Sequence, residues 1–435
     1  MSNNWDTYKL IVGKLNLFAI LLFVFWLPLK PDYLPSILTF WIITWFIEAN
    51  YKTRLQYFPV KMISIALFAF FFLHIFALLY SSNIDNGLFE VQKKISLVLF
   101  PLFLFGSNKR IKKESNLILK VFILGNLVAS IYLLSDAFFS NIVVEESSWY
   151  IRYWYKNSME NYPFWQLINQ SESVFSGSLL SNFIHPSYFS MYLLFSILLI
   201  VQFLRLNSIK RKYVKFFYVL TVFFFLFMIY LLQARAGFVS LFIVILLFAF
   251  FEIKKHKSIQ IIIISSLFVS IALFFLIKSQ QAEKVYTKIS NLFSEDDKIE
   301  MVRQDARFET WYSSILVIKN NFWFGTSPGD LTDELEKVYI KNNFSKAQGN
   351  RLNSHNQFLE TFAGLGIFGF IILVSVLISG LTYSYQKKDR LLFFLIIILS
   401  VNFIFESMLN RMAGILFMMF FLSYFIFLIA QKRDT

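Results

Sequence analysis

The sequence contains no cysteine in 435 residues, which removes disulfides, thiolate metal sites and a cysteine nucleophile together. Proline is scarce, at 8, and histidine scarcer, at 4. Acidic residues are outnumbered, 27 against 41 Lys and Arg, giving a formal net charge of +14 and a pI near 9.5. Such a balance raises nucleic acid as a partner, but where the charges sit matters more than their sum.

Apolar residues are what the chain has in abundance. They make up 57% of the sequence, with aromatics at 20% and a mean hydropathy of +0.59, the composition of a membrane protein. Ile11 to Leu29, Val60 to Tyr80, Tyr213 to Leu232, Gly237 to Phe251 and Ile259 to Ile277 carry few charges. Each is close to the ~20 residues a helix needs to cross ~30 Å of hydrocarbon. The pattern predicts an all-α integral membrane protein of about twelve transmembrane helices.

Lys and Arg gather in alternate short loops. With the N-terminus placed in the cytoplasm, inner loops hold Lys52, Arg54 and Lys61, then Lys109, Arg110, Lys112 and Lys113, then Arg205, Lys210, Arg211, Lys212 and Lys215. Lys254, Lys255 and Lys257, then Lys387, Lys388 and Arg390, then Lys432 and Arg433 continue the series. The intervening turns near Asp32, Ser82, Gln233 and Leu409 are nearly bare of positive charge, as the positive-inside rule requires. Both termini are therefore predicted to be cytoplasmic, and nucleic-acid binding drops out. The first apolar segment lacks a small-residue cleavage site and reads as a retained span.

Three regions follow. Residues 1–278 hold spans one to nine, with an aromatic-rich outer loop at 141–182 ("WYIRYWYKNSMENYPFW") suited to the membrane interface. Residues 279–354 form a large outer loop, and residues 355–435 hold the last three spans and a short cytoplasmic tail. Within the large loop, Phe308, Trp311, Tyr312, Ile315, Leu316 and Ile318 recur at helical period, predicting an amphipathic helix on the membrane surface. A Pro/Gly turn and a second short helix come next, with acids early and lysines late.

Gly364, Gly366 and Gly369 spell G-x-G-x-x-G, but a dinucleotide site needs those glycines between a strand and a helix N-terminus. Here they fall inside a span starting near His355. They read as helix packing, letting a neighbouring helix approach closely. His256 lies in an inner basic loop and His74 inside a span, whereas His185 and His355 start spans on the outer side. Each of these two is either a hydrated helix-start residue or part of a functional path.

Arg235, Arg307 and Arg411 lie at outer ends of spans or in the large outer loop, against the charge pattern of the rest of the chain. Each is either a snorkelling side chain or one that needs a counter-ion or ligand. Glu360 and Glu406 are the candidate counter-ions. Guanidinium groups bind phosphate oxygens in bidentate fashion, and an imidazole with a pKa near ~6.5 can accept a proton from an attacking hydroxyl. Together they suit displacement at a carbon bearing a lipid diphosphate, with arginines in place of a metal. The acidic run "SEDDKIE" contains a lysine and reads as a solvated loop rather than a metal site.

Four stretches resemble the O-antigen ligase and polymerase superfamily: "HNQFLETFAGLGIFGF" at His355 to Phe370, "ARFETWYSSILVIKNNFWFGTSPGD" at Ala306 to Asp330, "QARAGFVSL" at Gln233 to Leu241, and "ESMLNRMAGILFMMFF" at Glu406 to Phe421. The resemblance implies a GT-C-like helical membrane fold with a large periplasmic loop in the bacterial inner membrane. It also implies metal-independent, inverting glycan transfer from undecaprenyl diphosphate, with no cofactor. By that resemblance His355 is the catalytic residue and Arg235 and Arg307 bind the diphosphate. Arg411 is grouped with them, and Asn356, Glu360, Glu406 and His185 are supporting residues. The expected acceptor is the lipid A core, as in the ligases; a second lipid-linked repeat (polymerase) or a protein hydroxyl are the alternatives within the superfamily. A lipid or solute transporter is the alternative from another class.

Overall fold

The structure is a computed structural model that describes residues 2–48, 62–105, 109–145, 148–155, 158–162, 173–206, 211–256, 302–303 and 305–430. Lys52, Arg54, Lys61, the predicted span at 259–277, the acidic run at 294–300 and the Lys432–Arg433 end lie outside the described residues.

The helices in chain order are α1 (Ser2–Trp26), α2 (Leu34–Ile47), α3 (Met62–Ala77), α4 (Ile84–Lys94), α5 (Ser96–Phe105), α6 (Ser115–Phe139), α7 (Pro186–Arg205), α8 (Lys212–Leu232) and α9 (Arg235–His256). They continue as α10 (Ala306–Asn320), α11 (Leu331–Asn342), α12 (Ser345–Gln348), α13 (Gln357–Gln386), α14 (Arg390–Phe405) and α15 (Met412–Ala430). Seven helices among the described residues are long and apolar enough to cross a membrane: Met62–Tyr80, Ser115–Phe139, Pro186–Arg205, Lys212–Leu232, Arg235–Glu252, Gln357–Gln386 and Met412–Ala430. Leu10–Trp26 and Arg390–Phe405 are shorter apolar helices. The chain is an all-α membrane protein with one departure, the 141–182 loop. There β1 (Ile142–Glu145), β2 (Ser148–Tyr155) and β3 (Ser158–Tyr162) form an antiparallel meander, with Val144 opposite Trp149 and Tyr153 opposite Glu160.

The chain divides into two compact units, Met1–Gln56 with Gly106–Leu241, and Tyr57–Phe105 with Phe242–Thr435. In the first, α1 packs on α2 and α6, and α7 packs on α6 and α8. Gly125 lets α6 come against α1 so closely that a Cβ there would lie 2.5 Å from the Phe25 carbonyl oxygen, the small-residue packing expected between membrane helices. The Trp41 indole N–H donates to Asn16 Oδ1 at 3.2 Å, tying α2 to α1. An apolar cavity of about 280 Å³ opens among Leu134, Phe138, Phe175, Phe227 and Leu231. Nearly all of α7 is buried, from Pro186 through Ile200. A helix apolar on every side belongs at the centre of its bundle.

In the second unit that central place falls to α15, buried almost throughout from Ala413 to Ile429. α13 packs along α3 and α14, and α5 along α15. The polar loop folds into a lobe in which α10, α11 and α12 enclose Val317, Ile318, Leu331, Leu335, Tyr339, Phe344 and Ala347 with Ala363 of α13. Burial pushes the Tyr339 hydroxyl well above its usual range, so it stays a donor, here to the Leu352 carbonyl at 2.9 Å. The predicted oily stripe of α10 is split. Its buried face is Glu309, Thr310, Ser313, Ser314, Val317 and Ile318, four of them polar, while Phe308 and Ile315 stay exposed.

The lobe is fastened to the α3–α4 turn by Asp330. Its carboxylate accepts from Ser82 N at 2.9 Å, Ser82 Oγ at 2.8 Å and Asn83 N at 2.7 Å. Gly329 makes the approach possible, since a Cβ there would meet the Asn83 carbonyl oxygen at 2.5 Å.

α13 is not one continuous helix. Gly366 has φ 66° and ψ −165°, a conformation open to glycine and costly for other residues. The loop backbone threads into the break: Ile367 N donates to the Phe322 carbonyl at 2.9 Å and Thr326 N to the Ala363 carbonyl at 2.9 Å. A Cβ on Gly366 would lie 2.1 Å from the Trp323 carbonyl oxygen. Gly364 and Gly366 are thus packing residues, as expected, but what they admit is the loop at 323–328 rather than a neighbouring helix, while Gly369 meets Leu365 of its own helix. The Gly366–Ile367 junction is also unlike an unbroken helix, because Ile367 N bonds outside it.

Candidate active site

His355 sits just ahead of α13, with φ 44°, the left-handed region that few non-glycine residues occupy and that often marks functional positions. Its N–H donates to Asn353 Oδ1 at 3.0 Å, which holds the turn. Asn356 is the N-cap: its side-chain oxygen accepts from Phe358 N at 2.9 Å and Leu359 N at 3.1 Å, satisfying amides the helix leaves bare. Asn356 therefore orients His355 by starting the helix.

Glu406 follows α14 in extended conformation and is 5% exposed. One carboxylate oxygen lies 3.1 Å from His355 Nδ1; the other accepts from Arg307 Nη2 at 3.0 Å. Arg307 opens α10, where Asp305 caps its backbone N–H at 2.9 Å, and its guanidinium stands over the Phe405 ring. The His355 and Arg307 side chains are about a quarter exposed, at 25% and 23%. Three chain segments thus meet on a single buried carboxylate.

A carboxylate that accepts from arginine is ionised and acts only as an acceptor. The hydrogen on the His355 ring therefore belongs on Nδ1, leaving the Nε2 lone pair to take a proton. Arg307 adds positive charge to the same cluster. The arrangement can remove a proton from a neutral hydroxyl and stabilise an anion nearby.

Glu360 occupies the layer beneath. It is not an arginine counter-ion; its oxygens accept from Ser354 N at 2.8 Å and Asn410 Nδ2 at 2.6 Å, with Ser407 Oγ at 3.5 Å. It thereby joins the residue before His355 to the turn after Glu406. Gln357 adds a second tie by accepting from Leu409 N at 2.7 Å. Ser314 Oγ lies 2.9 Å from Ser354 Oγ, bringing in α10. The buried Lys94 of α4 donates to the Leu409 carbonyl at 2.8 Å and contacts Asn410 Oδ1 at 3.3 Å, with Glu90 as its ion-pair partner at 3.2 Å. Sequence reasoning missed Lys94. The signal was available, because a lysine just past the charge-poor turn at Ser82 departs from the positive-inside pattern in the way the three arginines do.

Arg411, Arg235 and His185 each have surroundings of their own. Arg411 is exposed and forms no side-chain ion pair among the described residues, although its backbone follows the turn that holds Asn410. Arg235 belongs to the first unit and opens α9, two residues after Gln233 ends α8 in left-handed conformation. His185, also in the first unit, is the N-cap of α7; its Nδ1 accepts from Ser187 N at 3.4 Å, and Pro186 stands at the first helical position. Its position thus has a structural account of its own. Among the described residues no His, Asp and Glu side chains form a group of three able to hold a metal.

Residues 220–374 match the family model described as O-Antigen ligase. Over those residues the chain is similar to the O-antigen ligase family. The match covers about a third of the chain and runs from α8 into α13, taking in Arg235, Arg307, His355 and the glycines of the helix break. Glu406, the third member of the cluster, lies beyond the matched residues and enters through folding. Members of the O-antigen ligase superfamily are glycosyltransferase-like enzymes that act on lipid-linked glycans and acceptor substrates. A comparison with curated proteins found no match.

Proposed function

We propose that the chain is a glycosyltransferase of the O-antigen ligase type, moving a glycan from undecaprenyl diphosphate to a hydroxyl of the lipid A core at the periplasmic face of the bacterial inner membrane. The observation that carries this reading is the Glu406 carboxylate shared between His355 Nδ1 and Arg307 Nη2. His355 Nε2 accepts the proton of the acceptor hydroxyl as its oxygen attacks the anomeric carbon. The bond from that carbon to the diphosphate oxygen breaks, its electron pair leaves with the diphosphate, and the configuration inverts. Arg307 offsets the charge growing on the leaving group, a role that the family resemblance extends to Arg235 and Arg411. No step requires a metal.

A purified, lipid-reconstituted preparation given a lipid-linked donor tests this. His355→Ala should lower transfer by about 10²- to 10⁴-fold, the usual worth of a general base. Transfer at the wild-type rate would remove His355 from the mechanism. A deletion strain separates the acceptors on one gel of surface glycans: loss of a ligase strands full-length polymer on the lipid carrier, whereas loss of a polymerase leaves single repeats on the core.

A transporter is the second reading, and the break in α13 favours it, since interrupted helices line many transport sites. Those breaks lie near the bilayer midplane. Here the limb from Ile367 to Gln386 is about 20 residues, or about 30 Å, enough to span the hydrocarbon alone. That length favours a break at the membrane edge, and with it the enzyme.

A further inference from the structure

Four aromatic side chains at the break in α13 face outward: Phe322 is 43% exposed, Trp323 63%, Phe324 56% and Phe368 45%. Their backbone is turned the other way. The Phe322 carbonyl accepts from Ile367 N, Gly325 N donates to the Asn321 carbonyl at 3.0 Å, and Thr326 N donates to the Ala363 carbonyl. The Phe324 carbonyl accepts from the Tyr80 hydroxyl at 2.7 Å. The Phe322 and Phe324 carbonyls are thus satisfied inside the protein while the rings of the same residues face outward, an arrangement suited to an apolar surround in which no water bonds the backbone.

Two further observations identify the surface it faces. The exposed rings continue the apolar faces of two membrane-crossing helices: the Phe324 ring lies 5.7 Å from Phe368 of α13, and Tyr80, which anchors the loop, lies 6.3 Å from Phe76 of α3. Counting about 30 Å from Gln386 up the second limb of α13 ends at Ile367, next to the break. That is the depth at which Trp and other aromatic residues collect.

We propose that Phe322–Phe324, together with Phe368, form a wedge inserted in the interfacial region of the lipid leaflet on the lobe's side, and that this wedge fixes the height of the lobe, and of His355, above the bilayer. The partner is the lipid surface itself. The inference requires only that α3 and α13 cross the membrane and is independent of the transfer reaction.

The absence of cysteine makes the test direct. Single substitutions Trp323→Cys, Phe324→Cys, Ile371→Cys and Lys337→Cys are spin-labelled in the full chain, reconstituted in phosphatidylcholine–phosphatidylglycerol vesicles. Collision with oxygen, which concentrates in lipid, is compared with collision with a nickel chelate, which stays in water. Labels at 323 and 324 should favour oxygen at least a few-fold over the label at 337, and so group with 371, which is one turn past the break. Labels at 323 and 324 that favour the nickel chelate as 337 does would overturn the wedge. Shielding from both reagents would overturn it too, by showing that protein covers the rings. If a loop substitution unfolds the chain, Phe368→Cys on the helix side of the same ring pair gives the same reading.

Discussion

Replacing Glu406 by Gln exchanges one carboxylate oxygen for an NH2 group, which donates where the oxygen accepted. Facing His355 Nδ1 at 3.1 Å, that group would draw the ring proton to Nε2 and so block the base. We expect kcat to fall by about 10²- to 10⁴-fold with little change in KM for the acceptor; steady-state kinetics of Glu406→Gln in vesicles would check this. Arg307→Lys keeps the charge but loses the planar fork. It should raise KM for the lipid-linked donor by about tenfold, the worth of one charge-assisted hydrogen bond of ~1.5 kcal/mol. At this scale the sequence was informative about membership. His355, Arg307 and Glu406 all stood out as ionisable groups near outer span ends, and the Glu406–Arg307 pair was among the expected counter-ion pairings. Which groups share which atoms was not legible, because His355 and Glu406 lie 51 positions apart and the turn that joins them depends on Glu360, Asn410 and Lys94. Glu360 shows this best, since its charge suggested an ion pair and its surroundings turned it into an acceptor for Ser354 N.

Among the elements, the broken α13 gives the sharpest contrast. Gly366→Ala places a methyl group 2.1 Å from a carbonyl oxygen at a φ of +66°. It should leave little folded protein in detergent by size exclusion. Gly364→Ala meets nothing closer than the Leu331 Cδ2 atom at 3.5 Å and should shift the melting temperature by only a few degrees, the effect of roughly 1 kcal/mol or less. The G-x-G-x-x-G pattern carried both possibilities, because spacing records where glycines stand but not the sign of their φ. The meander at 142–162 was missed for a different reason. Aromatic residues occupy both alternating faces of "SWYIRYWY", so the period-two signal of a half-buried strand is absent. The remaining signal was strand propensity in runs separated by two residues at 146–147 and 156–157, the spacing of tight hairpins.

At the scale of the whole molecule, the lysine and arginine pattern predicts an orientation that can be measured. An impermeant maleimide applied to intact cells should label Lys337→Cys, in the lobe, and should label Lys388→Cys, beyond the other end of α13, only after the inner membrane is opened. The reverse pattern would put the His355–Glu406–Arg307 cluster on the wrong side for a periplasmic reaction. A span was legible wherever a long apolar run forms a single helix, as in Met62–Tyr80 and Lys212–Leu232. It was not legible at α4 and α5, whose 11 and 10 residues are each too short to cross alone. The Asp330 clasp has a consequence in time. Ser82 and Asp330 are 248 positions apart, and at a synthesis rate of about 5 to 20 residues per second the α3–α4 turn waits roughly ten to fifty seconds for its carboxylate. Through that interval the first helices of the second unit stand in the membrane without the lobe. The His355–Glu406–Arg307 cluster is therefore among the last parts of the protein to assemble, and a ribosome that stalls before residue 330 leaves a chain that has no Asp330 to close over the turn.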